Sequence, residues 1–179
     1  MRVLVLALLL AHASAHAAPV ARPLSIRELA VIADTVVIGR IAAIRPEAAT
    51  PEPGIVTRIP VDVDQVLKGS AGAALILVQA GGERGGVAAT IGGAPAFAAG
   101  EQVLLFLTRR PDGALRVAHL YQGKFSIEAD PSTGASRVVR RVPDTGAVVD
   151  ALPLTDALAL VRAALAAPGG APGEKGRPR

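Results

Sequence analysis

Apolar positions follow three rhythms along this chain, and each predicts a different kind of element. Near the start the spacing is helical, with Ile26, Leu29, Ile32 and Ala33 on one face. Ser25 is placed to cap the amide of Glu28 while Glu28 reaches back to Ser25, and Leu24 and Leu29 are placed to pack together as a staple. The rhythm then shortens. Residues 35–41 form a β-branched run and read as a strand. Residues 46–54 carry three prolines and read as a loop. In residues 56–67, Ile59, Val61 and Val63 alternate with Asp62 and Asp64, the pattern of a half-buried strand. A short apolar strand is predicted at 74–79.

The third rhythm is continuous. Residues 103–107, Val-Leu-Leu-Phe-Leu, are apolar without interruption and predict a strand buried on both faces. Arg110-Pro111-Asp112-Gly113 then makes a turn: proline presets φ, aspartate accepts locally, and glycine takes the positive φ. An antiparallel return over 115–121, a strand at 125–129, a turn at 130–134, a strand at 137–142 and a turn at 143–146 complete a predicted four-stranded meander. Leu154, Leu158, Val161 and Leu165 restore helical spacing and predict an amphipathic helix covering the sheet. The expectation is a mainly β single domain over residues 18–167, flanked by a short N-terminal and a C-terminal helix. The tail, 168–179, is too rich in Pro, Gly and charge to bury anything.

Residues 1–17 read as a secretory signal peptide. Arg2 is the positive n-region, nine apolar residues follow, and Ala15-His16-Ala17 is the cleavage signature. Nine residues are half a membrane span, so the mature chain is expected to be exported, periplasmic or secreted, with no membrane-spanning segment. It contains no Cys, so neither a lipidated cysteine nor a disulfide is available, and stability rests on the core. The net charge of +4 falls to +1 once the leader and tail are set aside. Arginine outnumbers lysine sixteen to three and Asn is absent, the usage of a bacterial genome rich in G and C. Charge therefore names no partner.

Residues 79–100 are rich in glycine, which raises the question of a phosphate cradle. A P-loop requires a Lys-Ser/Thr pair opening a helix, whereas these glycines lead into a strand and no Lys lies between Lys68 and Lys124. No nucleotide, cofactor or metal is expected. After export His119 is the sole histidine, too few for a zinc site. Asp62 and Asp64, about 7 Å apart on one strand face, offer a paired-carboxylate arrangement, with His119 a possible base for a hydrolase. Nucleic-acid binding on a β-barrel needs exposed aromatics in a basic groove. The mature chain has only Phe97, Phe106, Tyr121 and Phe125, and Arg137, Arg140 and Arg141 lie on alternating faces, so none is expected.

Three segments, ELAVIADTVVIGRIAAI, IVTRIPVDVDQVLKG and GGAPAFAAGEQVLLFL, followed by QGKFSIE, together resemble the netrin-like domains, the group that includes the tissue inhibitors of metalloproteinases. The likeness is nearest to secreted bacterial proteins of unassigned function and spans residues 26–128. It rests on Ala33-Asp34, Gly39, Lys68-Gly69, Gly100-Glu101 and Gln122-Gly123-Lys124-Phe125. The resemblance implies an OB-like antiparallel barrel with added meander strands, and a secreted protease as partner. The animal inhibitors place an N-terminal cysteine on the protease's zinc. This chain has none, so no inhibitory residue carries over.

The reading is an exported, non-enzymatic module that binds another exported protein. The alternatives are a hydrolase using Asp62, Asp64 or His119, and a structural protein of the cell envelope. Recognition is expected on loops held by a rigid barrel: residues 81–99, with Gly81, Gly82, Glu83, Arg84, Gly92, Gly93, Pro95 and Phe97, and residues 46–53, with Glu47 and Glu52. Oligomeric state stays open.

Overall fold

The computed structural model describes residues 22–49 and 54–167. The leader, the tail and Glu52 lie outside the described residues. The first helix, α1 (Ile26–Ile32), carries the whole expected start signal. Ser25 Oγ accepts from the Glu28 amide and the Glu28 carboxylate accepts from the Ser25 amide, while Leu24 and Leu29 join one apolar cluster. Its buried face is Ile26, Leu29, Ala30 and Ala33, the i, i+3, i+4, i+7 stripe. Ile32, expected inward, is exposed, because Ala30 takes its place against the sheet.

Strand β1 (Thr35–Ile41) follows, then β2 (Arg45–Ala48), β3 (Ile55–Lys68) and β4 (Ala74–Ala80). Residues 46–48, expected as loop, instead join Arg45 in a hairpin arm paired with the start of β3. Pro46 is tolerated because β2 pairs on one side alone. A small hairpin, β5 (Gly82–Arg84) and β6 (Val87–Ala89), turns at Gly85-Gly86, both at positive φ. Strand β7 (Gln102–Arg109) and strand β8 (Leu115–Val117) are joined by the expected turn, in which Gly113 lies at φ 84 and Asp112 accepts from the Ala114 amide.

The strands β1, β3, β4, β8 and β7 close into a five-stranded barrel, because β1 pairs with both β3 and β7. Every rung around it is antiparallel except where β4 meets β8 in parallel, at Leu77 and Leu115. Strand β3 spans the barrel, pairing β2 and β4 with its first half and β1 with its second. Two bulges in the β1–β3 ladder give the coiling that closure requires.

The expected return strand over 115–121 stops at Val117. His119 and Leu120 take left-handed backbone, φ 50 and 59, and open a 3-10 turn over Leu120–Gly123. The chain then resumes beside β7 as β9 (Lys124–Ala129). This kink replaces the expected meander. β8 joins the barrel, while β9 diverges to pair β10 (Ser136–Arg141), which pairs β11 (Val148–Pro153), an edge strand not anticipated from its weak alternation.

Both faces of the shared strands are buried, as the run at 103–107 predicts. Val37, Ile41, Val103, Leu105 and Leu107 point into the barrel with Ile59, Val61 and Leu77. Val36, Ile38, Leu104 and Phe106 point outward to a second core covered by α1 and the last helix, α2 (Leu154–Ala166). In α2 the fully buried positions are Ala157 and Val161, flanked by Leu154 and Leu158, and Leu165 is exposed. Phe106 and Phe125 meet edge-to-face in this second core, ring centres 5.9 Å apart.

Candidate functional site

The described part of the 46–53 loop, residues 46–49, and the 81–99 loop converge at one end of the barrel. Thr57, buried, donates through Oγ1 to the Gly81 carbonyl at 2.7 Å, and the Gly81 amide donates to Ile55. Gly82, at φ 134, lies so close that an added Cβ would meet Thr57 Oγ1 at 2.4 Å and Pro46 at 3.6 Å. Only glycine lets the β5–β6 hairpin leave β4 pressed against β2. Glu83 and Arg84 stand exposed on that hairpin, and Glu47 faces Arg58 from β2 at 2.8 Å. Gly92 lies exposed on the descending segment, and Gly93 accepts the Tyr121 amide through its carbonyl, tying the loop to the 3-10 turn.

Pro95 and Phe97 separate two hollows. The first, about 120 Å³, lies where β4 and β8 splay apart, walled by Ile59, Leu77, Ile91, Phe97, Val117 and Leu120, with Arg116 among the lining residues. The second, about 290 Å³, lies between the loop and the β9–β10 surface, and its polar wall is Glu101, Lys124, Ser126 and Arg141. There Lys124 Nζ meets Glu101 at 2.5 Å, Ser126 Oγ donates to the same carboxylate oxygen at 2.6 Å, and Lys124 stands 5.5 Å from the Phe97 ring centre. A serine beside a lysine invites a nucleophile reading. Here the serine proton goes to Glu101, and Glu101 also engages the ammonium. Its other oxygen accepts the Ala98 amide, so the cluster fastens the base of the loop to β9.

Arg141 and Arg137 both grip Glu128, and Arg137 also reaches Asp130. Burial works to raise the Glu128 carboxyl, but its hydrogen bonds and charge contacts with Arg137 and Arg141 outweigh this and hold it below the usual range. Arg140 points to the opposite face and is fully buried there.

Asp62, Asp64 and His119 are not brought together. Both aspartates are exposed on β3, Asp64 facing Gln102 Nε2 at 3.4 Å, and His119 is exposed at the kink. None of them lines either hollow. Among the described residues no group of three His, Cys, Asp or Glu side chains converges as metal ligands.

Several residues on which the expected netrin-like resemblance rests are occupied in holding the fold. Asp34 accepts the Arg109 amide. Lys68 donates to the Ala30 and Val31 carbonyls at the end of α1. Gly39 admits the Asp62 carbonyl where an added Cβ would meet it at 2.4 Å. Gln122 accepts the Leu24 amide, and Phe125 is core. Of the residues around the first hollow, Arg116 and Leu120 lie outside the loops expected from the sequence, and Ile91 lies within 81–99 without being singled out. Their signal was tertiary, because the β4–β8 seam that gathers them joins segments distant in sequence. The sequence matches no protein-family model and no curated protein.

Proposed function

We propose that this chain is an exported, non-enzymatic binding module of the netrin-like, OB-type kind, which engages another exported protein, a secreted protease first among the candidates. The observation that carries the reading is the convergence of β2, the β5–β6 hairpin and the 91–97 segment on one barrel end, beside an apolar hollow. A rigid barrel presenting loops around a concave apolar patch is a common binding architecture. The residues of the likeness are occupied in the fold, which leaves recognition to the loops. Among the described residues, no group of side chains assembled for chemistry favours the hydrolase alternative.

The test is capture. Residues 18–179 are immobilised and exposed to the exported proteins of the producing cell, beside a variant with exposed Glu83, Arg84 and Val87 changed to alanine. A stoichiometric partner held by the native chain and lost by the variant is the expected result. An empty eluate at micromolar bait would sink the proposal. If the partner is a protease, its activity with and without the module decides between inhibition and simple attachment.

A further inference from the structure

The barrel is closed between β4 and β8 by a single rung, Leu77 opposite Leu115. On its other side β4 pairs continuously with β3, from Ala74 to Ala80. Past Leu77 the strands separate, and Val78, Gln79 and Ala80 line the resulting hollow with no ladder partner across it. An unpaired strand edge is a template for another strand. Most edges in native folds are blunted by charge or a covering element. This one opens onto apolar wall.

Arg116 stands in this seam. Among the described residues its guanidinium makes no hydrogen bond or ion pair, and its Nε is sealed from solvent without a partner. It lines the seam hollow and also a broader one of about 600 Å³ on the outer surface, which it shares with Arg58, Arg109 and Asp112. Arg58 is engaged by Glu47, Arg109 donates to the Gly113 carbonyl, and Asp112 accepts from the Ala114 amide. Among the described residues, Arg116 is the cation of this surface left without an acceptor.

The rim is apolar where a soluble surface is usually polar. Ile76, Ile91 and Leu120 are 51 %, 44 % and 50 % exposed, and they border these two adjoining hollows. Leu120 is also one of two non-glycine residues at positive φ among the described residues. Such backbone costs energy and persists where surroundings impose it, commonly at functional sites. Here the Tyr121 amide bonded to the Gly93 carbonyl holds it, with the Leu120 side chain turned to the seam.

The geometry points to the β4–β8 seam as a docking site for an extended peptide segment of the partner. The segment adds as a strand to the open edge of β4 at Val78–Ala80, seats one apolar side chain against Leu77, Phe97 and Val117, and places a carboxylate on Arg116. Strand addition of this kind draws affinity from main-chain hydrogen bonds and specificity from alternate side chains. The open edge favours a peptide over a small apolar acid, and the unpaired guanidinium favours an acidic segment. This inference rests on the protein-binding reading above and specifies how and where the partner is held.

The probe is a displayed library of random dodecapeptides selected on immobilised residues 18–179. Enrichment of sequences alternating apolar residues with Asp or Glu is expected. The synthesised winner should lose about tenfold to a hundredfold in affinity against Arg116→Gln, the scale of a charge-assisted hydrogen bond, and a similar amount against Ile91→Asp. Because Ile91 is exposed, that variant keeps the fold even if Arg116→Gln does not. Hydrogen exchange with the peptide bound should slow at the amides of residues 78–80. A library with no acidic-apolar enrichment, full affinity in both variants, or protection confined elsewhere each overturns the seam. If binding withstands both Arg116→Gln and Ile91→Asp and depends on Glu83 and Arg84 alone, the seam is refuted while the protein-binding role stands. A capture experiment with no partner removes the broader role by itself.

Discussion

Replacing Arg140 with methionine tests whether the second core is organised around a buried cation. The guanidinium is 1 % exposed. It donates through Nη1 to the Leu24 carbonyl at 2.7 Å and the Gln122 carbonyl at 3.1 Å, through Nη2 to Asp150, and lies 5.0 Å from the Phe125 ring centre. Methionine fills much of the volume and removes the cost of burying a charge, a gain of several kcal/mol in the most favourable case. Against it, two carbonyls lose their donor at about 1–3 kcal/mol each, and the contact with Phe125, about 1 kcal/mol, is lost. Asp150 is 41 % exposed and regains water, so its side of the pair adds little. Removing one partner of a fully buried pair costs about 3–5 kcal/mol; with one partner half in solvent, about 2–4 kcal/mol of destabilisation is expected. For a domain of this size that lowers Tm by roughly 5–15 °C. Urea titration of residues 18–179 by circular dichroism measures the first quantity and a thermal scan the second. Hydrogen exchange should also quicken at Leu24 and along α1, since Arg140 pins that segment to the sheet. A variant within about 0.5 kcal/mol of the native chain would refute the reasoning and make the ion replaceable by packing.

Gly39→Ala puts a Cβ 2.4 Å from the Asp62 carbonyl and 2.9 Å from Val61. The nearest obstacle is backbone, so a loss of at least about 1–3 kcal/mol is expected, and an unchanged urea midpoint would contradict the close β1–β3 approach. Acid should weaken the fold in a defined window. Hydrogen bonding by Arg22, then by Ser25, holds the Glu28 carboxyl down to about 2, and the Ser132 hydroxyl and amide with the Thr133 amide hold Asp130 down to about 2. Both lie below their usual 4.5 and 3.8, so their stabilisation is complete above pH 4.5 and is lost as pH falls towards 2. The double variant Glu28→Gln with Asp130→Asn should flatten this limb of a urea-midpoint series, and an identical limb would show that other carboxylates dominate. Thr57→Val removes the buried hydroxyl holding the Gly81 carbonyl and should cost about 1 kcal/mol. Faster exchange should be confined to residues 82–94, and uniform loosening would count against Thr57 as a loop anchor.

What was legible in the sequence was whatever is enforced locally. The Ser25–Glu28 box, the Asp112–Gly113 turn and the doubly buried run at 103–107 each follow from neighbouring residues alone. Three features were not legible for the same reason. Residues 46–48 look like a proline loop because nothing nearby says that β3 supplies a partner for one side of Pro46. Strand β11 is a half-exposed edge whose alternation is too weak to stand out. The kink at His119-Leu120 uses left-handed backbone without glycine, so no residue type announces it; the segment reads as strand until Gly93 and β10 compete for it. Missing that kink turned a barrel plus an extension into a meander. At the candidate site, the glycine loop and the residues near Pro46 were identified from the chain, but their contact through Gly82 was not. Ile91, Arg116 and Leu120 became a group only when the seam was seen.

Apart from residues 92–97, which belong to both, the positions behind the expected resemblance and the positions proposed to bind are therefore separate populations. Asp34, Gly39, Lys68, Gln122 and Phe125 spend their polar atoms or their volume inside the fold, and changing them should act through stability. Arg116 holds an Nε sealed from solvent with no partner among the described residues, and Ile91 and Leu120 carry apolar surface that folding leaves in water. Folding alone gives no reason to keep an unpaired guanidinium beside exposed isoleucine and leucine at a strand edge. A partner that covers them does. The same logic places the hydrolase alternative. Asp62, Asp64 and His119 are exposed but share neither hollow, whereas the seam gathers edge, pocket and charge within one opening. Stability and binding should then separate by mutation: Arg140→Met lowers the urea midpoint and leaves the affinity of the surviving folded fraction intact, while Ile91→Asp keeps the midpoint and loses the peptide. Binding lost in both variants in proportion to unfolding would return the seam to mere packing.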